Sequence, residues 1–204
     1  MKKELTLLDL ASWSAFIVFS ISSVILPVCL PEITKSISIN YTESGSLETF
    51  RNFVVLVILI LSIALVRFFN KKQYIAQGQY LIAAGLFMAS FADNYFVFIL
   101  SILLLGIGGG LSEAFINPFV VDIHPQNTGR YLNLANAFYP IGVVVASLLF
   151  GELLTRNVSW RYVFRIAAVF SLTAAVFISL LKFNSSRNNN KLSLSNYLEI
   201  ISSG

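Results

Sequence analysis

The sequence predicts an all-α integral membrane fold with six transmembrane helices, and three features carry that prediction. Of 204 residues, 56% are hydrophobic and 12% charged, and the mean hydropathy is +0.77, so a water-soluble fold would leave a large apolar surface in solvent. The apolar residues fall into six separate blocks, each near the ~20 residues that a helix needs to cross about 30 Å of hydrocarbon. Lipid offers the backbone no hydrogen-bond partner, so each block must satisfy its own amides as a helix, whereas barrel strands would read as short alternating segments.

The first block, 10–30, carries Ser12, Phe16, Ser20, Ser23 and Pro27 at spacings of three and four, a mildly polar stripe that closes in ILPVCLP at 25–31. Serines in membrane helices mostly bond back to their own backbone; Ser23 is the candidate substrate contact from this stripe. A cleaved signal peptide is the rival reading, with Lys2 and Lys3 as its charged start. The run is too long for a signal core, and Pro27 and Val28 precede Cys29 where a signal peptidase needs small residues. A single Cys forms no internal disulfide.

On the second block, 47–68, Glu48, Arg51 and Asn52 share one side near the expected outer end. There Arg51 can pair with Glu48 or snorkel outward; an ionisable group in the membrane also marks a candidate gate or substrate contact. The third block, 74–91, carries Gly78 and Gly85.

The fourth block, 96–121, holds Glu113, 17 residues past Phe96, which is about 26 Å along a helix axis. A bare charge at membrane depth costs several kcal/mol and is usually functional. Burial disfavours the ionised carboxyl, so Glu113 is expected to be buried and to hold its proton tightly. Asn117 at i+4 shares its face. The line Gly109, Glu113, Asn117 reads as a polar cavity wall, and the line Gly106, Gly110, Ala114 as a packing stripe. The alternative for Glu113 is a protonated side chain that hydrogen-bonds a neighbouring helix.

The fifth block, 132–154, places Asn133, Asn136 and Pro140 on one side. Amides pair with hydroxyls in both directions, which suits a polyhydroxy ligand; they also cap or bridge helices. Asn133 sits near the helix end and reads as structural, while Asn136, one turn deeper, is the candidate ligand contact. The sixth block is 162–181, so the chain divides into a six-helix transmembrane unit, 1–181, and a linker, 182–204. The linker is rich in Ser, Asn and Lys, and Leu192, Leu194, Leu198 and Ile201 could lie along the membrane surface.

Once six crossings are drawn, Lys2, Lys3, Arg67, Lys71, Lys72, Arg130, Lys182, Arg187 and Lys191 fall on one side, against Lys35, Arg156 and Arg161 on the other. The positive-inside rule then puts both termini in the cytoplasm of a multi-pass protein of the cell membrane. The same loops account for the formal net charge of +4 without nucleic acid. An enzyme fits poorly: His124 stands in a loop between Ile123 and Pro125 without the Cys or His partners of a metal site or a positioned nucleophile, and no phosphate-binding loop occurs. No cofactor or metal is expected.

The stretch GIGGGLSEAFINPFVVDIHPQNTGRYLNLANAFYPIG at 106–142 resembles the fourth and fifth helices of the major facilitator superfamily, and within it the fucose permease type of sugar:proton symporter. That type combines a Gly-rich run, a Glu, Asn-Pro four residues on, a Pro in the next loop, and Leu-Asn-Leu leading to an amide and Phe. Here these are Glu113, Asn117, Pro118, Pro125, Leu132, Asn133, Leu134, Asn136 and Phe138. FFNKKQYIAQGQYLIAAGLF and SWRYVF resemble the third helix and the start of the sixth. Within the chain, ILPVCLP at 25–31 and INPFVVDIHP at 116–125 set prolines at corresponding places in blocks one and four, a weak symmetry of two three-helix repeats. The resemblance implies that they form half of a major facilitator fold. It implies that Glu113 couples protons and binds sugar, and that Asn136 contacts sugar. Two departures stand out: no acid lies between Asp9 and Glu32, where the symporters carry an Asp, and the loop after the second helix lacks the usual Gly and Asp. Of that loop Arg67, Lys71 and Lys72 remain, any of which could latch onto Asp122 unless Asp122 is a solvated loop charge.

The sequence therefore points to the N-terminal half of a secondary active transporter, taking up a sugar or sugar derivative with a proton by alternating access. Its partners would be the sugar, the proton, the bilayer and a second six-helix half. The alternatives are an efflux facilitator for drugs or other solutes, and a non-transporting membrane subunit or truncated product. Ser23, Arg51, Glu113, Asn117 and Asn136 are the candidate substrate-binding residues. The topology makes a direct prediction: Ser195→Cys in intact cells is labelled by permeant but not by impermeant thiol reagents, and impermeant labelling would reverse the assignment.

Overall fold

Each of the six apolar blocks carries a helix in the computed structural model, which describes residues 5–65 and 69–183. The elements are α1 (Leu7–Ile37), α2 (Tyr41–Leu65), α3 (Lys71–Ala89), α4 (Tyr95–Ile123), α5 (Thr128–Thr155) and α6 (Trp160–Leu180). Lys2, Lys3, Arg67, Phe68 at the end of the second block, and 184–204 with its candidate surface helix lie outside the described residues.

Two helices run further than the apolar blocks suggest. The ILPVCLP segment does not end the first helix: Pro27 and Pro31 lie inside α1, which continues to Ile37 and stops at Ser38 in the left-handed region, φ 54°. Proline removes one backbone donor at its own position, and both prolines are exposed while Ile33 and Ile37 beyond them are buried. The packing of those isoleucines carries the helix past the breaks. α2 in turn begins six residues before the apolar run, at Tyr41. Its start is capped by Asn40, whose Oδ1 accepts from Glu43 N at 2.8 Å while Glu43 Oε2 accepts from Asn40 N at 2.8 Å.

Five of the helices are long and apolar enough to cross a membrane, and α3 is not among them. α3 carries Lys71, Lys72, Gln73, Gln77 and Gln79 and packs between α4 and α6, where Lys71, Lys72 and the Gln79 amide N–H reach protein partners while the buried Gln79 Oε1 has none. Gln79, fully buried, donates to Ser112 Oγ at 3.0 Å, and Ser112 donates to Gly108 O at 3.0 Å. At that crossing a Cβ on Gly78 would stand 2.8 Å from Gly108 O, so only glycine permits the approach. α4 meets α2 in the same way. A Cβ on Gly106 would stand 2.8 Å from Val54 Cβ, and one on Gly110 2.6 Å from Ile58 Cβ. The packing role expected of Gly106 and Gly110 is thus met, with α2 as the partner.

Polar ties join the helix ends. At the end where α1, α3 and α5 start, Lys71 Nζ lies 2.8 Å from Asp122 Oδ1, so the expected latch to Asp122 is made by Lys71. Lys72 instead donates to Ser179 O at 3.1 Å and to Leu181 O, closing the last turn of α6. At the same end His124 is not an isolated loop residue. It caps α4, is 3% exposed, and places Nε2 2.5 Å from Asp9 Oδ1 of α1. Asp9 Oδ2 accepts from Thr6 N and Oγ1 at 2.7 and 2.9 Å, and the imidazole stacks on Tyr131 of α5. At the opposite end Arg161 binds Ala92 O at 2.7 Å and Asp93 Oδ1 at 3.0 Å, fastening α6 to the α3–α4 turn.

The two pairs at the first end differ in burial, and their removal should differ accordingly. Asp9→Ala leaves a buried imidazole without its partner and is expected to cost about 3 kcal/mol. Asp122→Ala, from a half-exposed pair, should cost at most about 1 kcal/mol. Thermal unfolding of the purified chain in detergent checks this; equal losses would show that burial does not decide the strength of these ties.

Candidate functional site

α1, α2, α4 and α5 border an open-sided cavity of about 380 Å³, and all five candidate substrate-binding residues line it. They reach it from four helices, each of which turns a short stripe of two or three residues toward it. On α1 the stripe is Phe16, Phe19 and Ser23. Ser23 donates to Phe19 O at 2.9 Å, as serines in membrane helices are expected to do, which leaves its oxygen free to accept. The other stripe serines do not reach the cavity: Ser12 and Ser20 are buried and bonded to Asp9 O and Ile17 O.

α2 contributes Arg51, Asn52 and Val55. Arg51 does not snorkel to a surface. Because α2 starts at Tyr41, Arg51 lies ten residues into the helix, about 15 Å from its start, and is 5% exposed. Its Nη2 lies 2.7 Å from Glu48 Oε1 and its Nε 3.4 Å from Oε2. Nη2 also donates to Asn52 Oδ1 at 3.1 Å. Of the two outcomes expected for Arg51, the structure takes the pair with Glu48.

α4 contributes Glu113 and Asn117, and α5 contributes Asn136 and Tyr139. Asn136 Nδ2 donates to Asn117 Oδ1 at 3.0 Å and to Leu132 O at 2.8 Å. This uses both N–H groups of Asn136 and leaves its Oδ1 and the Asn117 Nδ2 for a ligand, an acceptor beside a donor. Asn136 therefore both bridges helices and faces the cavity. Asn133, read as structural, is exposed and does not line the cavity.

The expected burial of Glu113 is not met: its side chain is exposed on the cavity face. Glu113 follows Gly109, where a Cβ would meet only Phe19 and Val55 at 3.5 and 3.6 Å. Glycine contacts to α2 and α3 occupy the other sides of α4, so the carboxyl has only the cavity to enter.

Phe19, Val55 and Tyr139 line the cavity beyond the residues that the sequence predicts, and Asn52, predicted only as a neighbour of Arg51, lines it too. Phe19 and Tyr139 bring their rings to 5.2 Å across α1 and α5. Helical spacing was the available signal, since Phe19 lies four before Ser23 and Tyr139 three after Asn136. Among the described residues no three His, Cys, Asp or Glu side chains gather to hold a metal ion.

The Major Facilitator Superfamily profile matches residues 11–196. The chain belongs to the major facilitator superfamily. It is thereby a multi-pass membrane protein, consistent with five helices able to span. It is 26% identical over 149 residues to an L-fucose-proton symporter of Escherichia coli (strain K12), covering 71% of this chain and 34% of the relative. It is 22% identical over 146 residues to a protein TsgA homolog of Buchnera aphidicola subsp. Baizongia pistaciae (strain Bp), covering 71% of this chain and 38% of the relative. The crystal structure of a D-xylose-proton symporter superposes on 97% of this chain with a TM-score of 0.78 at 14% identity, and 52% of that protein is covered. This last likeness establishes the fold. The chain thus spans about a third of the two curated relatives and about half of the solved structure.

The bridge between α4 and α5 has a measurable strength. A double-mutant cycle of Asn117→Ala and Asn136→Ala, read by unfolding in detergent, should give a coupling of about 0.6 kcal/mol, the usual value for side-chain bonds between membrane helices. Strictly additive losses would show that the two amides do not hold each other.

Proposed function

We propose that this chain is the N-terminal six-helix part of a secondary active transporter that takes up a sugar or sugar derivative with a proton by alternating access. The observation that carries this reading is the convergence of Ser23, Arg51, Glu113, Asn117 and Asn136 on one cavity of about 380 Å³. The names of two similar proteins, an L-fucose-proton symporter and a D-xylose-proton symporter, support the class of cargo.

In this reading the sugar hydroxyls bond the Asn136 Oδ1 and Asn117 Nδ2 and accept from Arg51, while Glu113 takes the proton. A second six-helix half closes the open side of the cavity, and the two halves rock about a site near the membrane midplane. α1–α3 and α4–α6 are the two repeats of this half. The Lys71–Asp122 end faces the cytoplasm and the protein resides in the cell membrane. Each proton moved down one pH unit supplies about 1.4 kcal/mol, enough for about tenfold accumulation of a neutral sugar, so a single titrating carboxylate suffices.

Glu113→Gln keeps the shape and a hydrogen-bonding amide but cannot titrate. In the complete transporter it is expected to abolish proton-driven accumulation while counterflow exchange of sugar continues in part. Asn117→Ala should mainly weaken sugar binding. Sugar-dependent proton uptake into proteoliposomes is the measurement, and equal uptake by wild type and Glu113→Gln would remove Glu113 from the coupling step.

A further inference from the structure

The cavity wall carries one cation and one anion among the described residues, Arg51 from α2 and Glu113 from α4; its α1 and α5 sides carry no charge. The two are not equivalent. Arg51 is 5% exposed and already committed to Glu48 one turn earlier, by Nη2 to Oε1 at 2.7 Å and Nε to Oε2 at 3.4 Å. Asn52 completes the cluster, accepting from Arg51 at 3.1 Å and donating to Glu48 Oε1 at 3.4 Å. Glu48 does not itself line the cavity. Arg51 and Glu48 therefore cancel, and the charge felt by a solute is that of Glu113, minus one when ionised and zero when protonated. At neither stage does the cavity present net positive charge to an anion.

We infer that Glu48 is the charge-selectivity residue of this cavity: by neutralising Arg51 it admits uncharged polyols and turns away acidic sugars. The inference rests on the sugar reading of the site and extends it to a residue outside the wall. Glu48 acts through Arg51 and is a positioning residue. With Glu48 made neutral, the Arg51 charge would stand free to bind a carboxylate.

The test needs no sugar for its first arm. In full-length protein with its native cysteines, Cys29 included, replaced by Ala, Val55→Cys places a thiol on the cavity wall. Its labelling rates with anionic sulfonatoethyl and cationic trimethylammonioethyl methanethiosulfonate are compared, each relative to a free thiol. Glu48→Gln should raise the anion-to-cation ratio about tenfold, the effect of one unmasked charge at close range. The double variant Glu48→Gln with Arg51→Gln restores neutrality and should bring the ratio back to its starting value, an outcome that mere loosening of α2 would not produce. A ratio unmoved by Glu48→Gln, or equally raised in the double variant, overturns the inference. The second arm adds D-xylose or D-glucuronate, which differ by one carboxylate on the same ring. D-xylose should protect the thiol with Glu48 in place, and D-glucuronate only in Glu48→Gln. Failure of both sugars to protect in any variant overturns the sugar reading and leaves the labelling ratio to decide the role of Glu48.

Discussion

Helices in lipid gain little from burying apolar side chains against one another, since the acyl chains are equally apolar, and close van der Waals approach has to hold them together. In this chain α4 is where that constraint is met most fully. Gly106 and Gly110 admit Val54 and Ile58 of α2, and Gly108 lies against Gly78 of α3. With two sides of α4 pressed onto neighbours, the line Gly109, Glu113, Asn117 is left to face the space between α1, α2 and α5. The cavity is the remainder of the packing, and the acid in it is placed by glycines that lie outside the cavity wall, against neighbouring helices.

The polar interactions divide by burial. Pairs such as Lys35–Glu32 and Arg156–Glu152 are largely exposed and contribute little. The Asp9–His124 and Arg51–Glu48 contacts bury at least one partner almost completely, where an unpaired group would be costly. The first holds three helix ends together. The second places a guanidinium at the cavity wall while cancelling its charge, so hydrogen-bonding capacity is present there without a net cation.

Much of the site was legible because helical spacing turns a one-dimensional pattern into a face. Glu113 and Asn117 at i and i+4, and the split of α4 into packing and polar sides, follow from 3.6 residues per turn. What failed to show was whatever depends on partners distant in sequence. The fate of Arg51 depended on α2 starting at Tyr41 rather than at the apolar run. Glu113 was expected to be buried because an acid in an apolar block normally is; how widely the polar side of α4 stays open depends on how α1, α2 and α5 pack around it. His124 lacked local partners because its partner, Asp9, lies 115 positions away.

The sequence by itself determined that the chain is helical and membrane-spanning, since backbone amides in lipid admit no other solution for blocks of this length. It also determined which residue types were available for chemistry on each helix. Tertiary structure decided how far α1 and α2 run, because buried Ile33 and Ile37 hold the helix beyond two prolines. It decided that α3, too polar to span on composition alone, is sheltered between α4 and α6. It also decided that five polar residues from four helices share one cavity. Such decisions rest on the shapes of facing surfaces, in particular where a missing Cβ lets one backbone approach another, and no single segment encodes the surface that it will meet.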